Sequence, residues 1–158
     1  MSSIDEIRSK FVVDKISEKN EREENKNITN IEISKLVAFR KGQPFSMYDE
    51  NKKEEMKESI KENGILVPII VRKIGNDKYE IISGHNRTEC AKELGFSTIP
   101  SQIVDCDDEK ATLIMLDTNL NNREKILPVE KGYAYKQRNN IIKNRQKSSN
   151  INEFNDNS

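Results

Sequence analysis

Short blocks of β-branched and aromatic residues, each bounded by turn residues, predict the strands of this chain. The blocks at 66–71 and 79–82 flank the turn sequence Gly-Asn-Asp and predict an antiparallel hairpin. Residues 31–37 predict a short extended segment before the hairpin, and residues 99–104 predict a strand after it. Because Pro100 cannot donate a hydrogen bond to a neighbouring strand, we expect that last strand at an edge of the sheet.

Apolar residues at helical spacing predict helices between these strands. The first helix begins at a capping box formed by Ser46 and Asp49 and ends at Asn63, with Gly64 directly after it. Three further helices are predicted at 86–95, at 107–116 and from Pro128 onward. The order of elements predicts an α+β fold in which a small mixed sheet has helices on one side and is followed by C-terminal linker helices.

Composition divides the chain into four segments. Residues 1–27 form a charged arm that we expect to be partly helical or disordered, because after Ile16 it offers nothing to bury. Residues 28–127 hold the folded domain. Residues 128–147 predict a basic linker helix, and the Asn/Ser-rich residues 148–158 predict a disordered tail.

Overall composition restricts the classes of protein to which this chain can belong. It has 158 residues, 34% hydrophobic and 34% charged, which predicts one domain with a modest core. The 27 basic and 27 acidic residues balance, so contact with nucleic acid must come from a local patch. The chain lacks a secretion signal and the run of roughly 20 apolar residues that crosses a bilayer, so we expect a cytoplasmic protein without membrane contact. Cys90 and Cys106 form no CxxC pair, which excludes the usual structural zinc site within one chain.

A polar turn after the strand at 79–82 is the most informative feature of the sequence. A strand that stops at a glycine and opens a helix exposes backbone N–H groups at the positive end of that helix, which favours phosphate or another anion. An arginine at the start of the helix adds a fork of N–H donors. The alternative is a plain strand–turn–helix joint with a glycine for a tight bend. The residues of this candidate site are Ser83, Gly84, His85, Asn86 and Arg87.

A second polar cluster, at 117–123, contains three asparagines and an arginine. Because asparagine has low helix propensity, we expect the preceding helix to end here in a loop. One interpretation is a ligand-binding loop that faces the first cluster, where amide and carboxylate oxygens hold a hydrated Mg²⁺ and Arg123 neutralises phosphate. The other interpretation is a solvated loop without a ligand.

Three separated segments occur in a recognisable order and spacing. They read Val-Pro-Ile-Ile-Val-Arg at 67–72, Ile-Ile-Ser-Gly-His-Asn-Arg at 81–87, and Asn-Leu through Leu-Pro-Val-Glu-Lys at 119–131. Over about residues 30–140 the chain resembles the N-terminal domain of the ParB family of plasmid and chromosome partition proteins, and its ending looks most like ParB-like proteins of Gram-positive mobile elements. The resemblance implies a ParB/sulfiredoxin-like fold, association with the nucleoid or a plasmid, and a homodimer that clamps DNA and binds CTP.

The resemblance also implies which residues form the nucleotide site. In the family the glycine-led motif holds the phosphates of CTP, which assigns nucleotide binding to residues 83–87 together with Asn119, and a part in holding Mg²⁺ to Asn119. His85 and Asn86 stand where many members carry glutamate and arginine, and Thr118 stands in place of the family's acidic metal ligand. The resemblance therefore implies nucleotide binding, whereas CTP hydrolysis does not follow from it.

The last predicted helix has a basic surface: six basic residues and no acidic residue lie between 131 and 147. In the family this helix leads into a DNA-reading domain, and the chain has no room for a complete helix-turn-helix domain after it. We therefore expect salt-dependent, non-specific contact with the DNA backbone. The alternative is a solvated helix surface that balances acidic neighbours. The candidate DNA-binding residues are Lys136, Arg138, Lys143 and Arg145.

Two alternative functions remain open. An enzyme on the same fold, such as a sulfiredoxin, a free-serine kinase or a nuclease, needs a nucleophile or a carboxylate base. No cysteine precedes Gly84, and the carboxylates to be considered are Glu50, Glu54, Glu55 and Glu80. An adaptor would use the apolar residues of the 1–27 arm to dock on a partner such as a ParA-like partition ATPase.

Overall fold

The computed structural model describes residues 28–122 and 126–156, so the predictions for the 1–27 arm and for Arg123 lie outside the described residues. The described strands are β1 (Ile28–Glu32), β2 (Leu36–Val37), β3 (Ile69–Lys73), β4 (Tyr79–Ser83) and β5 (Thr98–Ile103). The described α helices are α1 (Glu50–Asn63), α2 (His85–Glu93), α3 (Asp108–Asn122) and α4 (Pro128–Asp156), and a 3₁₀ turn (Ile33–Lys35) joins β1 to β2.

The five strands form one mixed sheet in the order β1-β5-β3-β4-β2, which confirms the predicted α+β class. β3 and β4 pair antiparallel as the predicted hairpin, whereas β5 pairs parallel with β3 and β2 pairs parallel with β4. The prediction that β5 is an edge strand is wrong, because β1 pairs with its other side. The sheet tolerates Pro100 there because pairing with β3 begins only at Ser101.

Helices cover both faces of the sheet, which corrects the prediction that they lie on one side. Ile82 of β4 packs with Met115 of α3, and Ile70 of β3 joins the same apolar cluster. Ile69 of β3 packs instead with Ala91 of α2. Successive residues of a strand point to opposite faces, so α2 and α3 lie on opposite sides of the sheet. Both central strands are apolar on both faces, and each face therefore needs a helix to cover it.

The start of α1 differs from the predicted capping box. Asp49 caps the helix, since its carboxylate accepts a hydrogen bond from the backbone N–H of Lys52 at 2.9 Å. Ser46 lies outside the helix, and its backbone N–H donates to a carboxylate oxygen of Glu130 in α4 at 2.9 Å. The predicted helix end is confirmed, because Gly64 follows Asn63 with φ +71°.

The two C-terminal helices are longer than the sequence predicts. α3 continues through the asparagine-rich cluster to Asn122, and α4 continues through the predicted tail to Asp156. Polar side chains bond back to their own helices, as the hydroxyls of Ser148 and Ser149 do to backbone carbonyls four residues earlier. No glycine or proline follows Gly132, so nothing in that stretch stops the helix. No helix in 28–122 or 126–156 is long and apolar enough to cross a bilayer.

Candidate functional site

The two polar clusters of the sequence meet at one cleft of about 440 Å³. The first turn of α2 forms one wall, the end of α3 forms another, and the loop before α1 closes a third side. Of the predicted site residues, the cleft is lined by Ser83, Gly84, His85, Asn86, Arg87 and Asn119. The cleft is also lined by Thr118, which belongs to the predicted cluster at 117–123, and by residues that were not predicted as binding residues: Gln43, Ser46, Tyr48, Met56 and Val67. A cleft of this size is typical of small-molecule sites.

Gly84 lies at the sharp bend between β4 and α2. Its φ is +104°, a conformation that residues with a side chain rarely adopt. A Cβ atom at this position would lie 2.9 Å from Cβ of Ile69 and closer still to Cγ2 of the same side chain. The glycine therefore allows both the turn and the close approach of β3 to the start of α2.

The first turn of α2 supplies donors to the cleft. The backbone N–H of Thr88 makes the first bond within the helix, to the carbonyl of Gly84 at 2.9 Å. The three amides before it precede the helical hydrogen-bond ladder, and no side chain caps this helix end. Together with the helix dipole, these amides give the cleft a positive end that favours an anion.

Arg87 is held by the backbone of the loop that follows α1. Its Nη1 donates to the carbonyl of Val67 and, at 2.9 Å, to the carbonyl of Pro68. These bonds use one of the guanidinium nitrogens and place the side chain along the cleft wall. Burial lowers the pKa of Arg87 from its ordinary value, yet an arginine keeps its charge in proteins. Arg87 thus combines a positive charge with a structural role.

His85 and Asn86 hold the loop that precedes α1 against α2. Nε2 of His85 accepts a hydrogen bond from the backbone N–H of Phe39 at 3.4 Å. Burial lowers the pKa of His85, so the ring is neutral at pH 7. The side-chain oxygen of Asn86 accepts from the backbone N–H of Tyr48 at 3.0 Å. Both side chains therefore shape the cleft through the loop that they hold.

The α3 wall is helical, not the loop that the sequence predicted. The side chains of Thr118 and Asn119 donate to backbone carbonyls of the preceding turn, those of Ile114 and Met115. These bonds satisfy polar groups that would otherwise favour a loop, and the apolar face of α3 is buried beneath them. Asp117 points away from the cleft, as its place on a helix predicts, and accepts a hydrogen bond from the α4 side.

The predicted DNA-binding residues of α4 fall into two pairs. Arg138 donates to Asp117 at 2.6 Å, and Arg145 donates to carboxylates at the start of α3. Lys136 and Lys143 are exposed on the same helix. The two arginines therefore balance acidic neighbours, as the alternative interpretation predicted, while the two lysines remain open to a partner.

A buried ion cluster was not predicted. Glu80 is fully buried and accepts hydrogen bonds from Arg72 at 2.8 Å and from Arg40 at 2.8 Å. Arg72 also reaches Asp108 at the start of α3, at 2.6 Å. Burial opposes ionisation of Glu80, but the bonds from the two arginines outweigh it and hold the pKa of Glu80 below its ordinary value. The signal was present in the sequence, because the hairpin register places Arg72 opposite Glu80.

No carboxylate belongs to the described lining of the cleft. Glu80 is committed to its arginines, and Glu54 is paired on α1 with Lys57 at 3.2 Å. No group of three histidine, cysteine or carboxylate side chains in the described parts of the chain is arranged to hold a metal ion. Cys90 is buried, and burial raises the pKa of its thiol, which leaves it inert. The arrangement suits the binding of an anion better than acid–base catalysis.

The sequence matches a model of the ParB N-terminal domain over residues 17–120, well over half of the chain. The chain belongs to the ParB N-terminal domain family. The predicted resemblance to the ParB family is therefore confirmed, and the match covers the first two sequence segments and the start of the third. In this ParB N-terminal domain, the glycine-led turn and the end of α3 line one cleft. The end of α3 is helical there, whereas the sequence predicted a loop.

Curated relatives of this ParB N-terminal domain carry the name nucleoid occlusion protein. The one from Geobacillus kaustophilus is 36% identical over 122 residues, which are 77% of this chain and 42% of the relative. The one from Listeria monocytogenes (strain F2365) is 37% identical over 94 residues, which are 60% of this chain and 33% of the relative. The chain thus spans about two fifths or less of the length of these relatives.

Solved structures agree with the family assignment. The C-terminally truncated chromosome-partitioning protein ParB from Caulobacter crescentus, complexed with CTP-gamma-S, is similar with a TM-score of 0.55 and 27% identity, over 69% of this chain and 61% of that one. A Pnob8-like ParB-N domain gives a TM-score of 0.59 at 22% identity, over 80% of this chain and 50% of that one, and supports the fold alone.

Proposed function

We propose that this chain is the nucleotide-binding module of a ParB-type partition or nucleoid-occlusion protein, that its ligand is CTP, and that it associates with DNA as a clamp-type homodimer. The observation that carries the proposal is the convergence of the α2 first turn and the end of α3 on one cleft. The Caulobacter crescentus ParB, to which this chain is similar, was solved with CTP-gamma-S. That relative supports a cytidine triphosphate as the first ligand to test.

The backbone of the α2 first turn would hold the phosphates in this proposal. The amides of His85, Asn86 and Arg87 lie at a positive helix end without a side-chain cap. Gly84 allows the turn that brings these amides to the cleft, because a residue with a Cβ would strain its positive φ and clash with Ile69. The guanidinium of Arg87 adds charge at the same wall, and the amide of Asn119 lies across the cleft from it.

The donor set of the cleft does not fit a resident Mg²⁺. This ion prefers carboxylate oxygens in near-octahedral geometry, and the described lining offers none. Thr118 donates its hydroxyl hydrogen, and Asn119 one of its two amide hydrogens, to the helix backbone, and each side chain has one neutral oxygen to offer a metal. We therefore propose nucleotide binding without assigning hydrolysis, and we derive no step through the metal.

The proposed DNA contact rests on α4, whose 29 residues run from Pro128 to Asp156. Lys136 and Lys143 are exposed, while Arg138 and Arg145 already face carboxylates of α3. Of the four candidate residues, the two lysines therefore carry most of the proposed contact with phosphates. In fluorescence anisotropy with a DNA duplex, exchange of both lysines for alanine should reduce the slope of log affinity against log salt by about two. An unchanged slope would contradict the assignment.

The remaining partners are also part of the proposal. The nucleoid-occlusion relatives support association with the nucleoid. Docking of the 1–27 arm on a ParA-like partition ATPase remains a prediction from the sequence. Association with a plasmid and an origin in a mobile element are also predictions from the sequence. Deletion of residues 1–27 followed by a pull-down with such an ATPase tests the arm, provided that circular dichroism shows the shortened chain still folded.

Isothermal titration calorimetry with CTP and ATP tests the central proposal. We expect binding of CTP, weaker binding of ATP, and a loss of about tenfold to hundredfold in CTP affinity for Arg87→Ala, the range for one charge-assisted hydrogen bond. Arg138→Ala is the matched control, because it removes an arginine outside the cleft. A wild-type chain that binds neither nucleotide, or binds ATP more tightly, would refute the proposal.

A further inference from the structure

The lining of the cleft has two chemically different parts. The first turn of α2 supplies N–H donors and the charge of Arg87, which the proposed function assigns to the phosphates. The helix α1 and its two flanking loops supply larger apolar side chains, those of Tyr48, Met56 and Val67. In small-molecule sites the apolar lining covers the apolar part of the ligand, while a few polar groups fix its orientation. In a nucleotide, the base is the part that suits the apolar lining.

Tyr48 lies between two cavities. It lines the cleft, and together with Ser46 it also lines a second cavity of about 280 Å³ beside the start of α4. Lys52 lines the second cavity and not the cleft, and its Nζ lies 4.9 Å from the centroid of the Tyr48 ring. Lys52 therefore covers the ring from the side of the second cavity, and the ring separates this lysine from the cleft.

Two contacts hold Tyr48 in this position. Its backbone N–H donates to the side-chain oxygen of Asn86 at 3.0 Å, and the cation–π contact with Lys52 favours one orientation of the ring. An aromatic ring that is already held in place loses little conformational freedom when a ligand binds. Nucleobases stack on such rings, because every base has a π-face.

We infer that Tyr48 is the residue on which the base of the nucleotide stacks, and that Lys52 supports the ring from its opposite face. The inference rests on the proposed function, because it concerns the same cleft and names the residue that contacts the base. Stacking tolerates any base, so Tyr48 contributes affinity for nucleotides in general. A preference for CTP over ATP then has to come from groups that contact the edge of the base.

Isothermal titration calorimetry of the full chain with CTP tests the inference. Tyr48→Leu keeps an apolar side chain but removes the ring, and it should lower CTP affinity about fivefold to hundredfold. Tyr48→Phe is the matched control, because it keeps the ring, and its affinity should stay within about twofold of the wild type. No loss in Tyr48→Leu, or an equal loss in both variants, would overturn the inference and leave the proposed function intact. A wild-type chain that does not bind CTP would overturn both.

A fluorescence measurement separates stacking from a structural role of the ring. The chain contains no tryptophan, so Tyr48→Trp places a single reporter at the cleft. Saturating CTP should quench its emission, because the base would stack on the indole ring. Tyr135→Trp is the matched control, since Tyr135 is exposed on α4 and does not line the cleft. Emission from Tyr48→Trp that CTP changes no more than that from Tyr135→Trp would overturn the inference.

Lys52→Met tests the support of the ring. Methionine keeps an apolar stem without the charge, so CTP affinity should fall only about twofold to fivefold, the range for an exposed cation–π contact. A loss as large as that of Arg87→Ala would identify Lys52 as a ligand of the phosphates and overturn its assignment to the ring.

Discussion

Two polar regions of this molecule differ in how completely the chain satisfies its own groups. At the centre of the sheet, the buried carboxylate of Glu80 is paired through both oxygens with Arg40 and Arg72. In the cleft, the first-turn amides of α2 lie beside about 440 Å³ of open space. The charged side chains around Glu80 thus pair with one another, whereas the less charged cleft has backbone N–H donors that the protein itself does not use. Charge density alone is therefore a poor guide to function, and unmatched donors beside a cavity are a better one.

Removal of the charge on Glu80 should have the largest effect on stability. Among the described residues, Glu80→Gln leaves Asp108 as the charged partner of Arg72, and we expect a loss of about 3–5 kcal/mol in the free energy of unfolding. Glu58→Gln is the matched control, since Glu58 pairs with Lys61 on the exposed surface of α1 at 3.6 Å. The control should change stability by less than about 0.5 kcal/mol in urea unfolding. Equal effects of the two variants would contradict the distinction between the regions.

The contribution of Glu80 should also depend on pH. Its pKa is lower in the folded protein than its ordinary value, so the stabilisation is fully present above about pH 4.3. It is lost as the pH falls through the folded-state pKa, because the protonated acid no longer pairs with the arginines. The difference in unfolding free energy between the wild type and Glu80→Gln should therefore narrow in acid. A difference that stays constant from pH 7 to pH 3 would show that the pairing contributes nothing.

Substitution of Gly84 should give the next largest effect, because it changes the geometry of the cleft wall. Gly84→Ala combines a positive φ with a clash against Ile69, and we expect a loss of about 2–4 kcal/mol. Gly42→Ala shares the positive φ, at +73°, but meets nothing within 4 Å, so it should cost only about 1 kcal/mol. Thermal unfolding of both variants measures the difference. Similar losses of stability in the two variants would show that β3 does not approach Gly84 closely.

The smallest effect is expected for the polar contacts of the cleft itself. Asn86→Ala removes one partly buried hydrogen bond, to the backbone N–H of Tyr48, and should cost about 1 kcal/mol in the free energy of unfolding. The same variant should weaken CTP binding, because the loop that it releases lines the cleft. If Asn86→Ala lowered the free energy of unfolding as much as Glu80→Gln does in the same urea series, the polar contacts of the cleft would be essential to the stability of the fold.

The parts of the molecule that the sequence predicted well are those set by local chemistry. Gly64 ends α1, and Gly84 turns the chain from β4 into α2, because each glycine supplies a positive φ where its neighbours cannot. The polar turn at 83–87 was assigned to a site for the same local reason, and the structure places all of it at the cleft.

The parts that were missed depend on contacts distant in the sequence. Pro100 suggested an edge strand, but the partner on the other side of β5 is β1, some seventy residues earlier in the chain. The asparagine-rich cluster suggested a loop, but tertiary packing on α3 overrides weak helix propensity. The ion pair of Arg72 and Glu80 was missed for a different reason, since its signal is local: the register of the hairpin places the two residues opposite each other across β3 and β4.

The location of the ligand is the central claim, and nuclear magnetic resonance tests it most directly. In a titration of ¹⁵N-labelled protein with CTP, we predict the largest amide shifts at Gly84 to Arg87 and at Thr118 and Asn119. These residues are far apart in the sequence but line the same cleft. Large shifts at both segments, saturating together, would support the account. Shifts confined to the basic residues of α4, or to only one of the two segments, would contradict it.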